Sequence, residues 1–235
     1  FLMSLCFLFS SELFYTSLAL SFALCAALVA VVWRHHAGEA GRWKAPVFVV
    51  LLVTSKAFMD YASSGLENPL SHLLVALFYA RLAVGDRPLA ELPRRDVCWL
   101  FFLAALAFVN RMDTVLFYAP AVAWLGVIHV RRHGLRFAGA LLLALSPAML
   151  WLLFSTIYYG FPFPNTAYAK ASHIGVSLDH RLARGWAYLT TGMAWDAASF
   201  VVVALAAGLA IWRRQGRALL AMAGAPGSGV RTWPC

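Results

Sequence analysis

Apolar residues run in long blocks along this chain, and short polar stretches interrupt them at intervals. The clearest blocks are Leu13–Trp33, Thr114–Val130, Phe137–Tyr159 and Met193–Trp212, which predict membrane-spanning helices. Two hairpins are built from shorter runs. Pro46–Met59 turns through DYASSGLENP into Leu70–Val84, and Val97–Val109 turns through NRMD into Thr114–Val130. The opening Phe1–Phe9 reads as the end of another span. The pattern predicts an all-α polytopic membrane protein of about seven helices and a remnant.

Composition agrees and excludes other classes. Of 235 residues, 62% are hydrophobic and only 12% charged, with a mean hydropathy of +0.74. A water-soluble globule of this length cannot hide so much apolar surface, and a disordered chain carries far less. The four cysteines, Cys6, Cys25, Cys98 and Cys235, form no CxxC pair and no zinc spacing. The chain begins with Phe inside an apolar run, and its end, GAPGSGVRTWPC, resembles none of the preceding segments. The expected organisation is an N-terminally incomplete transmembrane domain over 1–215 and a disordered or foreign tail over 216–235.

The net charge of +9 is mainly an orientation signal. Stretches 34–44, 85–96, 131–136 and 213–217 hold twelve of the nineteen basic residues, and alternation of spans puts all four on one side. The positive-inside rule makes that side cytoplasmic. No nucleic-acid partner is needed, and no nucleic-acid-binding motif is visible. The opposite face collects the unusual polar residues, among them Glu12, Lys56, Asp60, Glu67, Asn68, His72, Arg111, Asp113, Lys170 and Asp196. The runs leading to two of its turns are short: 13 or 14 residues rise about 20 Å, against a hydrocarbon core of about 30 Å. Polar turns at that depth are tolerated inside protein or against a water-filled cavity. A cavity open to the outer side is therefore expected.

Three motifs carry candidate chemistry. In DYASSGLENPL (60–70), Gly65 allows a tight turn, Ser63 and Ser64 satisfy free amides, and Pro69 suits a first helical turn. Glu67 is surplus to that turn: it either complements a helix dipole or belongs to a site. In Asn110-Arg111-Met112-Asp113, Arg111 either pairs locally with Asp113 or holds an anionic group such as phosphate. An Arg at membrane depth is a functional candidate by default. In YYGFPFPNTAYAK (158–170), an aromatic belt accounts for Phe161, Phe163 and Tyr168 but not for Asn165 and Lys170. His72 reads as a polar helix contact or a site member. His35, His36 and His133 read as solvated loop residues, and Arg81 as snorkelling to the cytoplasm. Ser146-Pro147 is expected to kink its helix. The acids show no ligand spacing that specifies a metal, and no cofactor is predicted.

In order, Ser64–Asn68, Arg111–Asp113 and Tyr158–Lys170 resemble a motif set of bacterial membrane glycosyltransferases of the class C (GT-C) fold. The similarity is to the group related to mycobacterial terminal arabinofuranosyltransferases, and it covers roughly residues 10 to 212. The resemblance implies a multi-pass enzyme of the bacterial cytoplasmic membrane with its active face outside. Such an enzyme takes a sugar from a polyprenyl-phosphate donor and passes it to a cell-envelope glycan or lipid acceptor. It implies a catalytic carboxylate in a large extracytoplasmic loop upstream of this chain, so the fragment alone is expected to be inactive. Glu67, Asn68, Arg111, Asp113, Asn165, Tyr168 and Lys170 would then form the remaining substrate-binding wall. Two rivals stand beside this reading. A lipid-linked sugar flippase or other multi-pass transporter would also show intramembrane charges and broken helices, and a structural subunit would leave Glu67 and Arg111 without purpose.

Overall fold

The computed structural model describes residues 12–35, 43–62, 67–82, 89–163, 168 and 177–212, with side chains to 209. Every regular element among them is helical. In chain order the α-helices are α1 (Leu13–His35), α2 (Lys44–Thr54), α3 (Lys56–Ala62), α4 (Asn68–Leu82) and α5 (Arg94–Asn110). They continue as α6 (Val115–His133), α7 (Leu135–Ala144), α8 (Ser146–Tyr159), α9 (Leu178–Trp195) and α10 (Ala197–Trp212). Single 3-10 turns occupy Leu89–Glu91 and Met112–Thr114.

α5 is the hub. It packs against α4, α6, α7 and α8, while α1 lies along α4. Its small and large apolar residues, Val97, Leu100, Phe101, Ala105 and Ala107, are all buried. From α4, Leu74, Phe78 and Leu82 meet Tyr118, Ala121 and Leu125 of α6, and the Phe78 and Tyr118 rings touch edge to face at 4.9 Å. Gly126 lets α6 approach α5, since a Cβ there would lie 3.2 Å from Phe101 Cζ. Inside α6, Pro120 withdraws the N–H that the Leu116 carbonyl would use. The Tyr79 hydroxyl of α4 donates to the next carbonyl, Phe117, at 2.7 Å. A neighbouring helix thus supplies a hydrogen bond where proline has disturbed the ladder.

Among the described residues, two helices are long and apolar enough to cross a membrane, Leu13–His35 and Met112–His133, and up to five spans result if each of three bent pairs counts as one. The pairs are α2/α3, bent by 76°, α7/α8, bent by 62°, and α9/α10, bent by 102°. The bend between α7 and α8 falls at Leu145, next to the Ser146-Pro147 step expected to kink it. The other two breaks depart from the sequence pattern. The run 46–59 breaks at Ser55. The block beginning at Met193 is divided at Asp196, so Met193–Trp195 close the preceding helix. The stretch 160–192, between the apolar blocks ending at Tyr159 and beginning at Met193, contains most of α9.

The basic end of the bundle is tied together. Arg81, expected to snorkel, instead meets Asp96 through Nε at 3.2 Å and Nη2 at 2.7 Å. Arg94 contacts His133 at 3.1 Å, and Arg132 donates to the Ala90 carbonyl at 2.6 Å. His133, expected in solvent, packs on Phe137. His129, which the pattern had not singled out, is fully buried, with Nε2 3.1 Å from the Leu89 carbonyl.

Candidate functional site

The opposite end of the bundle holds the polar turns. α5 ends at Asn110, and Arg111 leaves it in extended conformation before the turn Met112–Thr114 starts α6. The Thr114 hydroxyl, buried, lies 2.6 Å from the Arg111 carbonyl and 3.2 Å from the Ala107 carbonyl, which fixes the corner. Asn110 fastens this corner to the start of α4: its Nδ2 donates to the Glu67 carbonyl at 3.1 Å and to Ser71 Oγ at 2.9 Å.

Arg111 sits at the centre. Its Nε and Nη2 donate to Asp113 Oδ1 and Oδ2 at 3.0 and 2.6 Å, a two-pronged pair. Its Nη1 donates to Asn68 Oδ1 at 2.6 Å and lies 3.6 Å from Glu67 Oε1. Hydrogen bonding to Asp113 raises the guanidinium further above its ordinary range, with its charge and that of Glu67 adding to the effect, so Arg111 stays charged. The local ion pair considered from the sequence is therefore present, and Glu67 and Asn68 join it.

A cavity of about 750 Å³ opens beside this cluster. Asn68, Arg111, Asp113 and Thr114 form its polar end. From there one stripe of α4 lines it: Ser71, His72, Val75, Ala76, Tyr79 and Ala80, at three- and four-residue helical spacing. From Asn68 to Ala80 the stripe runs about 18 Å. Leu28, Val32 and His35 of α1, Phe48 and Leu52 of α2 and Phe117 of α6 complete a mainly apolar wall. His72 belongs to this wall and rests on the Phe58 ring at 5.4 Å, with its Nδ1 buried and without a hydrogen-bond partner. The volume lies within the range of small-molecule sites.

The remaining residues expected at the site divide in two. Tyr168 is described and its ring lies 5.5 Å from Phe161 and 6.3 Å from Phe163, forming an aromatic cluster after α8. It does not line the cavity. Asn165 and Lys170 lie outside the described residues. Gly160 ends α8 in the left-handed conformation, φ 77°, which favours glycine. Among the described residues, no group of three or more metal-ligating side chains gathers.

A second polar junction was not foreseen. Asp196, buried between α9 and α10, accepts hydrogen bonds through Oδ2 from Ser55 Oγ at 2.8 Å, Ala57 N at 3.2 Å and Ser199 Oγ at 2.9 Å. Its Oδ1 accepts from Ser199 N at 3.3 Å. One carboxylate thus satisfies free amides at the starts of both α3 and α10. Asp196 at the head of an apolar run is a helix-start signal, and it marks the break in an otherwise continuous apolar block.

No family model matches this chain, and no curated protein or solved structure matches it either.

Proposed function

We propose that this chain is the membrane-embedded part of a glycosyltransferase that uses a polyprenyl-phosphate sugar as donor. The observation that carries the reading is the form of the cavity: a mainly apolar groove that ends at Arg111, Asp113 and Asn68. A lipid-linked sugar has the same division, with an apolar tail, an anionic phosphate and a hydroxyl-rich head. The prenyl tail lies along Val75, Ala76, Phe48 and Leu52. Asn68, with the Glu67 carboxylate beside the groove, hydrogen-bonds sugar hydroxyls. Arg111, held in orientation by Asp113, turns its Nη1 edge to the phosphate when Asn68 gives way.

In transfer, an acceptor hydroxyl oxygen bonds to the anomeric carbon, and the bond from that carbon to the phosphate oxygen breaks. The proton goes to a carboxylate, and polyprenyl phosphate leaves as an anion. Positive charge fixed near the leaving oxygen lowers the barrier. The proposal includes about seven spans, with α4 and α5 crossing as short helices, in a bacterial inner membrane with the Arg111 end outside.

The test is binding by the purified chain in lipid nanodiscs, using a radiolabelled polyprenyl-phosphate-linked pentose. Free polyprenol and a water-soluble pentose phosphate should bind at least tenfold more weakly. Ala76→Trp fills the groove and should abolish donor binding while the helix content stays constant. Undiminished binding in that variant removes the groove from the reading.

The contact between two helix breaks, at Ser55 and Asp196, favours a second reading, transport of the lipid-linked sugar, since broken helices recur in transporters. Sealed vesicles separate the two. A transporter moves labelled donor across the bilayer unchanged, whereas a transferase supplied with an acceptor consumes it.

A further inference from the structure

The surface of α9 carries a separate message, independent of the sugar-transfer reading. Ser177 caps its start, accepting from His180 N at 3.4 Å, and Asp179 lies in the first turn. Leu178, Leu182, Trp186, Leu189 and Met193 then recur at helical spacing within a narrow arc. His180, Arg181, Arg184 and Thr191 lie on the other side of the helix. No residue of α9 is buried, and Trp186 is 69% exposed. An exposed stripe of this kind needs an apolar partner.

The orientation of α9 says which partner. α10 follows at a bend of 102° and contains no charged residue. Asp196 holds the bend, capping α10 and binding Ser55 and Ala57 of the neighbouring break. With α10 along the membrane normal, α9 lies close to the membrane plane. As a span, α9 would carry Asp179, Arg181 and Arg184 into the hydrocarbon. In the plane, it places Arg181 and Arg184 at the headgroups.

We propose that α9 is an interfacial helix whose Leu178–Met193 stripe enters the acyl boundary of the bilayer while Arg181 and Arg184 meet lipid phosphates. Its partner is the lipid surface itself. Trp195 closes the helix under the Lys56 ammonium, 5.5 Å from the ring centroid, which ties the end of α9 to the bundle.

The test uses the whole chain with its cysteines replaced, in vesicles of phosphatidylcholine and phosphatidylglycerol. Single cysteines at Leu182, Trp186, Leu189 and Thr191 carry a fluorescent label. The three stripe positions should be quenched more by lipids brominated near the headgroup than by lipids brominated near the chain end. They should also be shielded several-fold from aqueous iodide, and Thr191 should show the reverse. A depth that changes steadily from Leu182 to Leu189 would mean a spanning helix. Stripe labels shielded from both bromolipid and iodide would mean a protein partner, such as a second copy. Labels open to iodide would mean a helix in water. Each of these three outcomes overturns the proposal, and none of them bears on donor binding.

Discussion

Ser55 and Asp196 stand 141 positions apart in the chain and share a 2.8 Å hydrogen bond at the point where two helices break. Ser55 also accepts from Phe58 N at 3.3 Å, and Ser199 Oγ lies 3.0 Å from Ser55 Oγ, so the two helix starts share one polar knot. The carboxylate supplies acceptors only, and all its neighbours in the knot can donate. Asp196→Asn places an amide N–H among donors, and Asp196→Ala leaves two helix starts uncapped. We expect Asp196→Ala to lower stability by roughly 2–4 kcal/mol, the scale of two lost caps in a buried setting. Unfolding titrations in mixed micelles measure this. A change under about 0.5 kcal/mol, the level of an ordinary surface substitution, would show that the knot does not hold the bends.

Gly126 gives a sharper packing test. The space beyond its missing Cβ belongs to the buried Phe101 ring, 3.2 Å away. Gly126→Ala requires that ring to shift by a few tenths of an ångström, and Gly126→Leu requires α5 and α6 to separate. The expected costs are below about 1 kcal/mol for Ala and about 1–3 kcal/mol for Leu. The same titrations decide it, and equal stability of the Leu variant would contradict the close approach.

The α4–α6 hydrogen bond at Pro120 predicts a smaller loss. Tyr79→Phe keeps the ring on the cavity wall and removes the donor to the Phe117 carbonyl. Stability should fall by about 1 kcal/mol, the usual net worth of one such bond. Tyr79→Phe with unchanged stability would mean that the carbonyl finds another donor.

The chain's apolar blocks locate several helices well and conceal the bends. Leu13–Trp33 foreshadows α1, and the 97–109 and 114–130 runs foreshadow α5 and α6 to within a few residues. These helices are continuous, so composition and structure have the same boundaries. The break at Ser55 carries no Gly or Pro, only the polar step Thr54-Ser55-Lys56, and its cause is a partner far along the chain. α9 mixes arginines with a Leu/Trp stripe, so its average polarity looks like loop while its periodicity is helical. At the candidate site, the sequence supplies the residue types and the shared face. It does not supply the pairing of Asn68 with Arg111, because that contact depends on Asn110 joining α5 to α4.

Orientation can be tested at opposite ends of the bundle. Arg94, Arg132 and His133 gather at one end, and the Glu67–Arg111 cluster occupies the other. In a cysteine-free background, a membrane-impermeant maleimide should label His180→Cys from outside intact cells. Arg136→Cys should react only in inverted vesicles. Reaction of both from the same side would overturn the basic-inside orientation and the proposed outward-facing site.

Arg111 is the residue on which the donor-binding reading most depends. Asp113 occupies its Nε–Nη2 edge, so the orientation of the guanidinium is set before any ligand arrives. Lys at this position keeps the charge but cannot make both contacts with Asp113 while also reaching Asn68. Arg111→Lys should therefore weaken binding of the polyprenyl-phosphate sugar, and Arg111→Ala should weaken it further, by roughly 10- to 10²-fold, on the scale of losing one charge-assisted hydrogen bond. Removing the cation also leaves Asp113 facing Glu67, so less folded protein is expected, and binding must be measured per molecule of folded protein. Asp113→Asn separates orientation from charge: it retains Arg111 but weakens its anchor, and should cost less than Arg111→Ala. An Arg111→Ala protein that folds and binds the donor as well as the unaltered chain would reduce Arg111 to a partner of Asp113 in the turn. The phosphate would then have to be held by another residue.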